Sequence, residues 1–433
     1  MKNKWLYLLT GLTLLLLGAC GTSPNESGNR EANPIELKLF SNVPDRNTGR
    51  GKIEEDLIRK FEEENPNVKI VVEALPDEQY KQKLSAYANS SEMPDIMNHW
   101  STHPAYEVMA QNGQLAELNE SDYNDHEYFA GALKSFEVDD KLYGLPYTND
   151  YMVLYYNAEI FSENNIDIPT NYKEFSDAVT LFRENGVAPV AVSGLSPYLF
   201  AMFYNELYLK NGGTQETLYQ VLNGERLVQE DQHAIDAAVK MKDLTDLGIF
   251  QDGFLSAEYG AAQNLFIQGQ TAMYYTGSWD ASMDGESSDA SDEFKENVHA
   301  LSLPVGDSGD QSYLTGWYGG GYVVNNDSEN REMALEFLNF MMKPENYTKL
   351  AWESNSFIPA MAYEQYFTGN ETNLQKDLTT ILSEASDISG TPVNDYLSSK
   401  FKDSFETLAQ NFVSGNMAVD DFLEQFQRAI DEQ

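Results

Sequence analysis

A single cysteine in 433 residues leaves no partner for an internal disulfide. Basic residues are scarce as well: 28 Lys and Arg stand against 69 Asp and Glu, a formal net charge of −41. A nucleic-acid footprint needs clustered positive charge to displace counterions, so this balance excludes nucleic acid as a partner. It also excludes a polybasic membrane patch. No apolar run after Leu17 is long enough to span a bilayer. The motifs of common hydrolytic and phosphoryl-transfer sites are missing: there is no HExxH, CxxC, G-x-S-x-G or Walker A loop. His99 and His103 have helical metal-ligand spacing, but Pro104 follows directly and argues for a loop. No catalytic residue, metal site or cofactor is expected.

What is present begins with an export signal. Lys2 and Lys4 precede the apolar stretch Trp5–Leu17, and small residues lead to Cys20 in Leu17-Gly18-Ala19-Cys20. That run resembles the lipobox of bacterial lipoproteins. The resemblance implies a signal peptide over 1–19 and lipidation of Cys20 as the mature N-terminus. Residues 20–33, rich in Gly, Ser, Asn, Pro and Glu, have almost nothing to bury and read as a flexible tether.

At 42% hydrophobic, the rest holds enough apolar material for a sizeable core. Ile35–Phe40 alternates as a strand. Ile53, Leu57 and Phe61 recur at helical spacing within 51–65, and Val68–Glu73 is a second strand. A helix over 77–89 carries Tyr80, Leu84 and Tyr87 on one face, and a short strand follows at Pro94–Met97. This βαβαβ opening predicts an α/β fold with a doubly wound sheet, whose ligands bind beyond the carboxyl ends of its strands. The loops to watch are 41–50 and 98–103. Further strands are expected near 152–156, 187–192, 272–275 and 321–324, with helices near 171–185, 198–209, 233–247, 330–342 and 417–429.

Several aromatics sit in turn-like contexts. Trp100 follows the third strand, Tyr147 follows Gly144-Leu-Pro146, Trp279 follows Thr276-Gly-Ser278, and Trp317 and Tyr318 precede Gly319-Gly-Gly321. Flat indoles suit the C–H faces of sugar rings, and short acids and amides suit their hydroxyls. Any one of these aromatics would serve as well in packing a lobe core or hinge.

The motifs Pro94-Asp-Ile96, Tyr143-Gly-Leu-Pro-Tyr147, Phe266-Ile-Gln-Gly-Gln-Thr-Ala-Met-Tyr-Tyr-Thr-Gly-Ser-Trp279, Gly319-Gly-Gly-Tyr-Val-Val-Asn325, Ala334-Leu-Glu-Phe-Leu-Asn-Phe340 and Phe357-Ile-Pro-Ala360 run in one order along the chain. In that order the sequence resembles the extracellular solute-binding proteins of ABC importers, specifically the maltose/multiple-sugar-binding type. The resemblance implies a two-lobed periplasmic-binding-protein-like fold, each lobe a doubly wound sheet flanked by helices, with the ligand between lobes. It implies crossovers near 146–150, 303–314 and 355–359. Lobe one would be 34–147 plus 310–356, and lobe two 148–309 plus 357–433.

The same resemblance nominates site residues. Trp279 would stack on sugar and Asp150 would accept hydroxyl hydrogen bonds. Trp100 would present an aromatic, with Asn98 or His99 able to take that contact instead. Asn42, Asp45 and Arg46 would supply polar contacts from the loop after the first strand, and Arg46 would fork two hydroxyls. Tyr147, Trp317 and Tyr318 would line the cleft, and the glycines at 319–321 would let backbone approach the ligand. The implied function is capture of a sugar, most simply an oligosaccharide, outside the cell. Delivery to a membrane permease would follow, from a monomer held on the extracytoplasmic face of the membrane by lipid on Cys20. The alternatives are the same fold binding a polyol, polyamine or peptide, and a surface glycosidase with two carboxyls facing across the glycosidic bond.

Overall fold

The first strand shows why the chain folds as it does. Leu37 and Leu39 are fully buried while their neighbours Glu36 and Lys38 are exposed, so the strand begins with one face on the core, and both faces are covered by the time it reaches Phe40. The helix after it, Gly49–Glu64, buries Ile53, Leu57 and Phe61 as their spacing predicts, and ends at Asn65 before Pro66. The computed structural model describes residues 34–90, 92–285, 288–307 and 312–433. The expected signal peptide, tether and Cys20, and the expected lobe boundary at Asp310, lie outside the described residues.

In chain order the strands are β1 (Ile35–Ser41), β2 (Val68–Ala74), β3 (Ile96–Trp100), β4 (Glu137–Val138), β5 (Lys141–Leu142), β6 (Gly144–Pro146), β7 (Asp150–Asn157), β8 (Ala188–Ala191), β9 (Thr271–Gly277), β10 (Val298–Leu301), β11 (Tyr313–Leu314), β12 (Gly316–Trp317), β13 (Gly320–Val324) and β14 (Asp387–Ile388). Two main sheets result. The first has the order β2-β1-β3-β13-β6, and the second β10-β7-β9-β8 with β12 added on β7. In the first sheet β1, β2 and β3 are parallel, and β13 runs antiparallel to β3 and β6.

Each sheet is covered by helices. Leu39, Ile53, Phe61, Tyr322, Phe337 and Met341 share the first lobe's core. The second sheet divides two cores by strand alternation. Met152 and Leu154 face one that includes Tyr204, Met241, Phe405 and Phe426, while Tyr151, Val153 and Tyr155 face another that includes Phe266, Phe294 and Leu374. This is the expected two-lobed α/β fold.

Two details differ from expectation. The third strand extends to Trp100, so Asn98–Trp100 is strand and not loop. Its partner β13 pairs Gly320 with Trp100 and Tyr322 with Asn98 from more than 200 residues away, a hydrogen-bonding edge that local sequence does not announce. The segment placed in lobe one from 310 also begins on the other side. β11 pairs with β14, β12 pairs with β7, and Trp317 packs in the second lobe's core, so the chain rejoins the first sheet only at Gly320.

Candidate functional site

Three chain segments cross between the lobes side by side. Tyr147 N–H donates to Gly320 O at 2.9 Å, Asn149 N–H to Ile358 O at 2.9 Å, and Ala360 N–H to Tyr147 O at 3.2 Å. The crossings leave the first sheet at Pro146 and Gly320 and enter the second at Asp150 and Trp317. The facing rims are therefore Ser41, Trp100, Pro146 and Gly320 on one lobe, and Asp150, Ala191, Gly277 and Trp317 on the other. For the parallel strands these are carboxyl ends, where open α/β sheets bind their ligands.

A polar rail follows the first lobe's rim. Arg50, on the helix after β1, donates to the Tyr147 hydroxyl and to Asn42 Oδ1. Asn42 Nδ2 donates to Asp77 at 3.1 Å, and Asp77 pairs with Lys81 at 2.7 Å. Asn98 Nδ2 donates to Gly321 O at 2.9 Å and toward the Tyr147 hydroxyl at 3.4 Å. Asn98 Oδ1 is buried and has no partner among the described residues. Beneath the rail Glu54 is fully buried. It takes ion pairs from Arg46 and Arg50 and a 2.6 Å hydrogen bond from the Tyr322 hydroxyl. Burying that carboxylate is tolerable because it is paired and hydrogen-bonded.

The second lobe's rim carries the indoles. Trp317 lies opposite Asp150 in the β12–β7 pair. Its ring centroid is 6.1 Å from that of Trp279, with the planes inclined at 57°. Trp279 Nε1–H donates to the Tyr259 hydroxyl at 2.7 Å, which donates to Asp280 at 2.8 Å. The Tyr274 hydroxyl donates to the same oxygen at 2.8 Å. Trp317 Nε1–H is buried without a partner among the described residues. A buried polar atom without a partner is costly, so Asn98 Oδ1 and Trp317 Nε1 are places where a bound polar molecule would relieve a penalty.

Burial governs the acids. It raises the Asp150 carboxyl to about 7, against the pull of the Thr148 hydroxyl, Arg50 and the Gly320 N–H. It raises Asp280 to about 6, against the hydroxyls of Tyr259 and Tyr274. The buried His99 ring is pushed down to about 4 and stays neutral. For Lys81 burial works downward, but Asp77, Glu78 and Glu406 more than offset it and the ammonium is held charged. That ammonium sits 4.8 Å from the Tyr198 ring of the second lobe and 5.5 Å from the Trp100 ring of the first. Thr102 Oγ1 donates to Asp395 at 3.1 Å, again from first lobe to second. The lobes are in contact along this side. Among the described residues no group of three or more His, Cys, Asp or Glu is placed to hold a metal ion, and no helix is long and apolar enough to cross a membrane.

The family profile described as bacterial extracellular solute-binding protein matches residues 46–348. The chain belongs to that family. A multiple sugar-binding protein from Streptococcus mutans is 22% identical over 289 residues, 64% of this chain and 65% of that protein, so the match spans just under two thirds of the relative's length. A galactooligosaccharide-binding protein from Bacillus subtilis is 23% identical over 376 residues, 83% of this chain and 81% of that one. Among solved structures, a chitin oligosaccharide binding protein superposes with a TM-score of 0.82 at 24% identity, covering 93% of this chain and 99% of that one.

Within this solute-binding protein the ten nominated residues fall into three groups. Asp150, Trp279 and Trp317 gather on the second lobe's rim, and Asn42, Asn98, Trp100 and Tyr147 on the first lobe's rim and crossover, with Tyr318 on the return crossover where its carbonyl accepts from the Ser101 and Ser135 hydroxyls of the first lobe. Asp45 and Arg46 do not join them as expected. Asp45 is exposed and accepts from Asn47 N–H and the Thr48 hydroxyl, which lower its pKa and close its own loop. The Arg46 fork is taken by Glu54 and by Glu55 at 2.8 Å, so it braces the loop. Nor do the glycines after Tyr318 open a path for ligand. A Cβ on Gly320 would meet the Tyr147 hydroxyl at 2.6 Å, and one on Gly321 would meet Phe136 at 2.4 Å, so protein fills that space.

Sequence reasoning missed Arg50, Lys81, Tyr198, Tyr259 and Asp280. Arg50 and Glu54 had a signal: with Leu57 and Phe61 they follow the i, i+4, i+7 stripe that a helix buries, so two charges lay on an apolar face. Tyr259 and Asp280 had none, because only the fold brings them to the Trp279 nitrogen.

Proposed function

We propose that this protein captures a sugar, most simply an oligosaccharide, outside the cell and delivers it to the permease of an ABC importer without breaking a bond. The observation that carries the reading is the pair Trp279 and Trp317, with Trp317 opposite Asp150, on the rim where the second lobe faces the first. An indole face takes the C–H face of a pyranose, and Asp150, Asn98 Oδ1 and Trp317 Nε1–H would serve its hydroxyls. Asn42, Trp100, Tyr147 and Tyr318 would complete the wall. The names of the Streptococcus, Bacillus and chitin-oligosaccharide relatives support a carbohydrate ligand. Closure would hinge on the three crossings, and the closed, liganded form would dock on the permease. Lipid on Cys20 would hold the protein at the extracytoplasmic face of the membrane.

A thermal-shift screen of mono- and oligosaccharides, with polyols, polyamines and peptides as counter-ligands, tests the reading. A sugar present at 100 times its dissociation constant should add about 2.7 kcal/mol to stability, and the same sugar should be recovered chemically unchanged. Stabilisation by a polyamine or peptide and by no sugar would overturn the reading, and cleavage of the oligosaccharide would replace it with hydrolysis. Cys20→Ala should move the protein from the membrane fraction to the medium.

A further inference from the structure

Two glycines at this site have no room for a side chain, and in each case the obstacle is a tryptophan. A Cβ on Gly277 would lie 2.0, 2.3 and 2.4 Å from three atoms of the Trp279 ring. A Cβ on Gly319 would lie 1.8 Å from Trp317 Nε1 and 2.0 Å from Cδ1. Gly277 stands two residues before its indole and Gly319 two residues after. Gly277 has φ −105° and ψ 177°, a backbone that any residue adopts, and Gly319 is not among the glycines with positive φ. Conformational freedom is therefore not what these positions need. Each indole is folded back onto its own chain and occupies the volume where a methyl group would be.

The consequence is a fixed wedge. Trp279 lies on Gly277 and is fastened at its N–H by Tyr259, itself fixed by Asp280. Trp317 lies on Gly319, and the two ring centroids are 6.1 Å apart at 57°. At that separation the indoles touch one another and no sugar ring fits between them. Trp279 is half-buried and Trp317 buried, so it is Trp279 that keeps surface for a pyranose.

We propose that Gly277 and Gly319 are positioning residues for ligand binding. Their missing side chains are the seats of the two indoles and set the angle at which Trp279 and Trp317 meet the ligand. The proposal rests on the reading that these indoles contact a sugar.

The test compares Gly277→Ala, Trp279→Ala and the double variant with the unaltered protein, and repeats the set for Gly319→Ala and Trp317→Ala. Three readouts are taken: the near-ultraviolet circular dichroism of the indoles without ligand, the unfolding midpoint, and affinity by calorimetry for raffinose, maltotriose, xylotriose and chitotriose. Gly277→Ala should change the indole spectrum and weaken the best-binding probe by about tenfold or more. The double variant should bind no more weakly than Trp279→Ala alone and should unfold at the same midpoint as Trp279→Ala, because the methyl then meets no ring and adds no loss of its own. If Gly277→Ala fails to fold, folding of the double variant decides in favour. A wild-type spectrum and affinity in Gly277→Ala, or a Gly277→Ala loss of stability that is just as large in the Trp279→Ala background, would overturn the proposal. Full sugar affinity in Trp279→Ala, or no binding of any probe, would instead defeat the sugar-contact reading, while the spectrum and the midpoints would still judge the seat.

Discussion

The hydroxyl of Thr102, just past β3, donates to the Asp395 carboxylate of the other lobe at 3.1 Å. Asp395 is held in turn by Lys402 at 2.6 Å. Together with Lys81 over the Tyr198 ring, this bond joins the two lobes along one side. A hydrogen bond to a charged group at a part-buried site contributes about 1–2 kcal/mol. Thr102→Val should therefore shift the lobe equilibrium toward open by about fivefold to thirtyfold. Small-angle scattering of the unliganded protein should show a larger radius of gyration, and ligand affinity should fall by a comparable factor. An unchanged radius and affinity would show that the bond contributes nothing to closure.

Trp279→Ala should abolish the ligand-induced thermal shift. Trp279 is half-buried against the second lobe's core, so its loss should lower unliganded stability by about 1–2 kcal/mol, less than the 3–5 kcal/mol typical of a fully buried aromatic. Urea unfolding with and without sugar separates the two effects. A full sugar response in the variant would remove Trp279 from the site.

The fold was legible where the signal is local. Leu37 and Leu39 alternate with charged neighbours, and Ile53, Leu57 and Phe61 mark one helix face, so the opening of the first lobe could be read directly. The aromatic positions were legible because Trp279 and Trp317 stand beside glycines at strand ends. What stayed hidden depends on contacts between distant segments. β13 converts Asn98–Trp100 from loop to strand, Glu54 takes Arg46 away from the cleft, and β12 joins β7 before the chain returns to the first sheet. Gly277 and Gly319 are small in the sequence, but it is the fold that brings an indole into the space beside each of them.

Glu54→Ala should be among the more damaging single changes in the first lobe. The carboxylate is fully buried between Arg46 and Arg50 and accepts from Tyr322. Removing it strands two guanidinium groups and a hydroxyl, which costs about 3–5 kcal/mol. Arg50 also orients Asn42 and Tyr147, so affinity should fall together with stability. A urea midpoint within 0.5 kcal/mol of wild type, about the scatter expected of surface changes, would show that the network is not needed.

Asp150 gives the protein a pH dependence of defined sign. Its carboxyl ionises near 3.8 as a free group and at about 7 in the fold, because burial disfavours the charge. Below about pH 4 both states hold the proton and the folded state keeps its full advantage. Between about pH 4 and 7 the unfolded chain ionises first, so stability falls as pH rises, by a total of order a few kcal/mol, and then levels off. Asp280 and Asp284, both raised to about 6, act in the same sense. Asp150→Asn should flatten that slope in the unliganded protein. Ligand binding runs the other way. Sugar hydroxyls donating to Asp150 favour its ionised form and lower its pKa in the complex, so affinity should rise between about pH 6 and 8, up to tenfold for each unit by which the pKa falls. Calorimetry across that range should show the rise in the wild type and a flat profile in Asp150→Asn. Parallel profiles in the two proteins would mean that the carboxylate does not meet the ligand, and the second lobe's polar contact would then have to come from the Trp317 N–H.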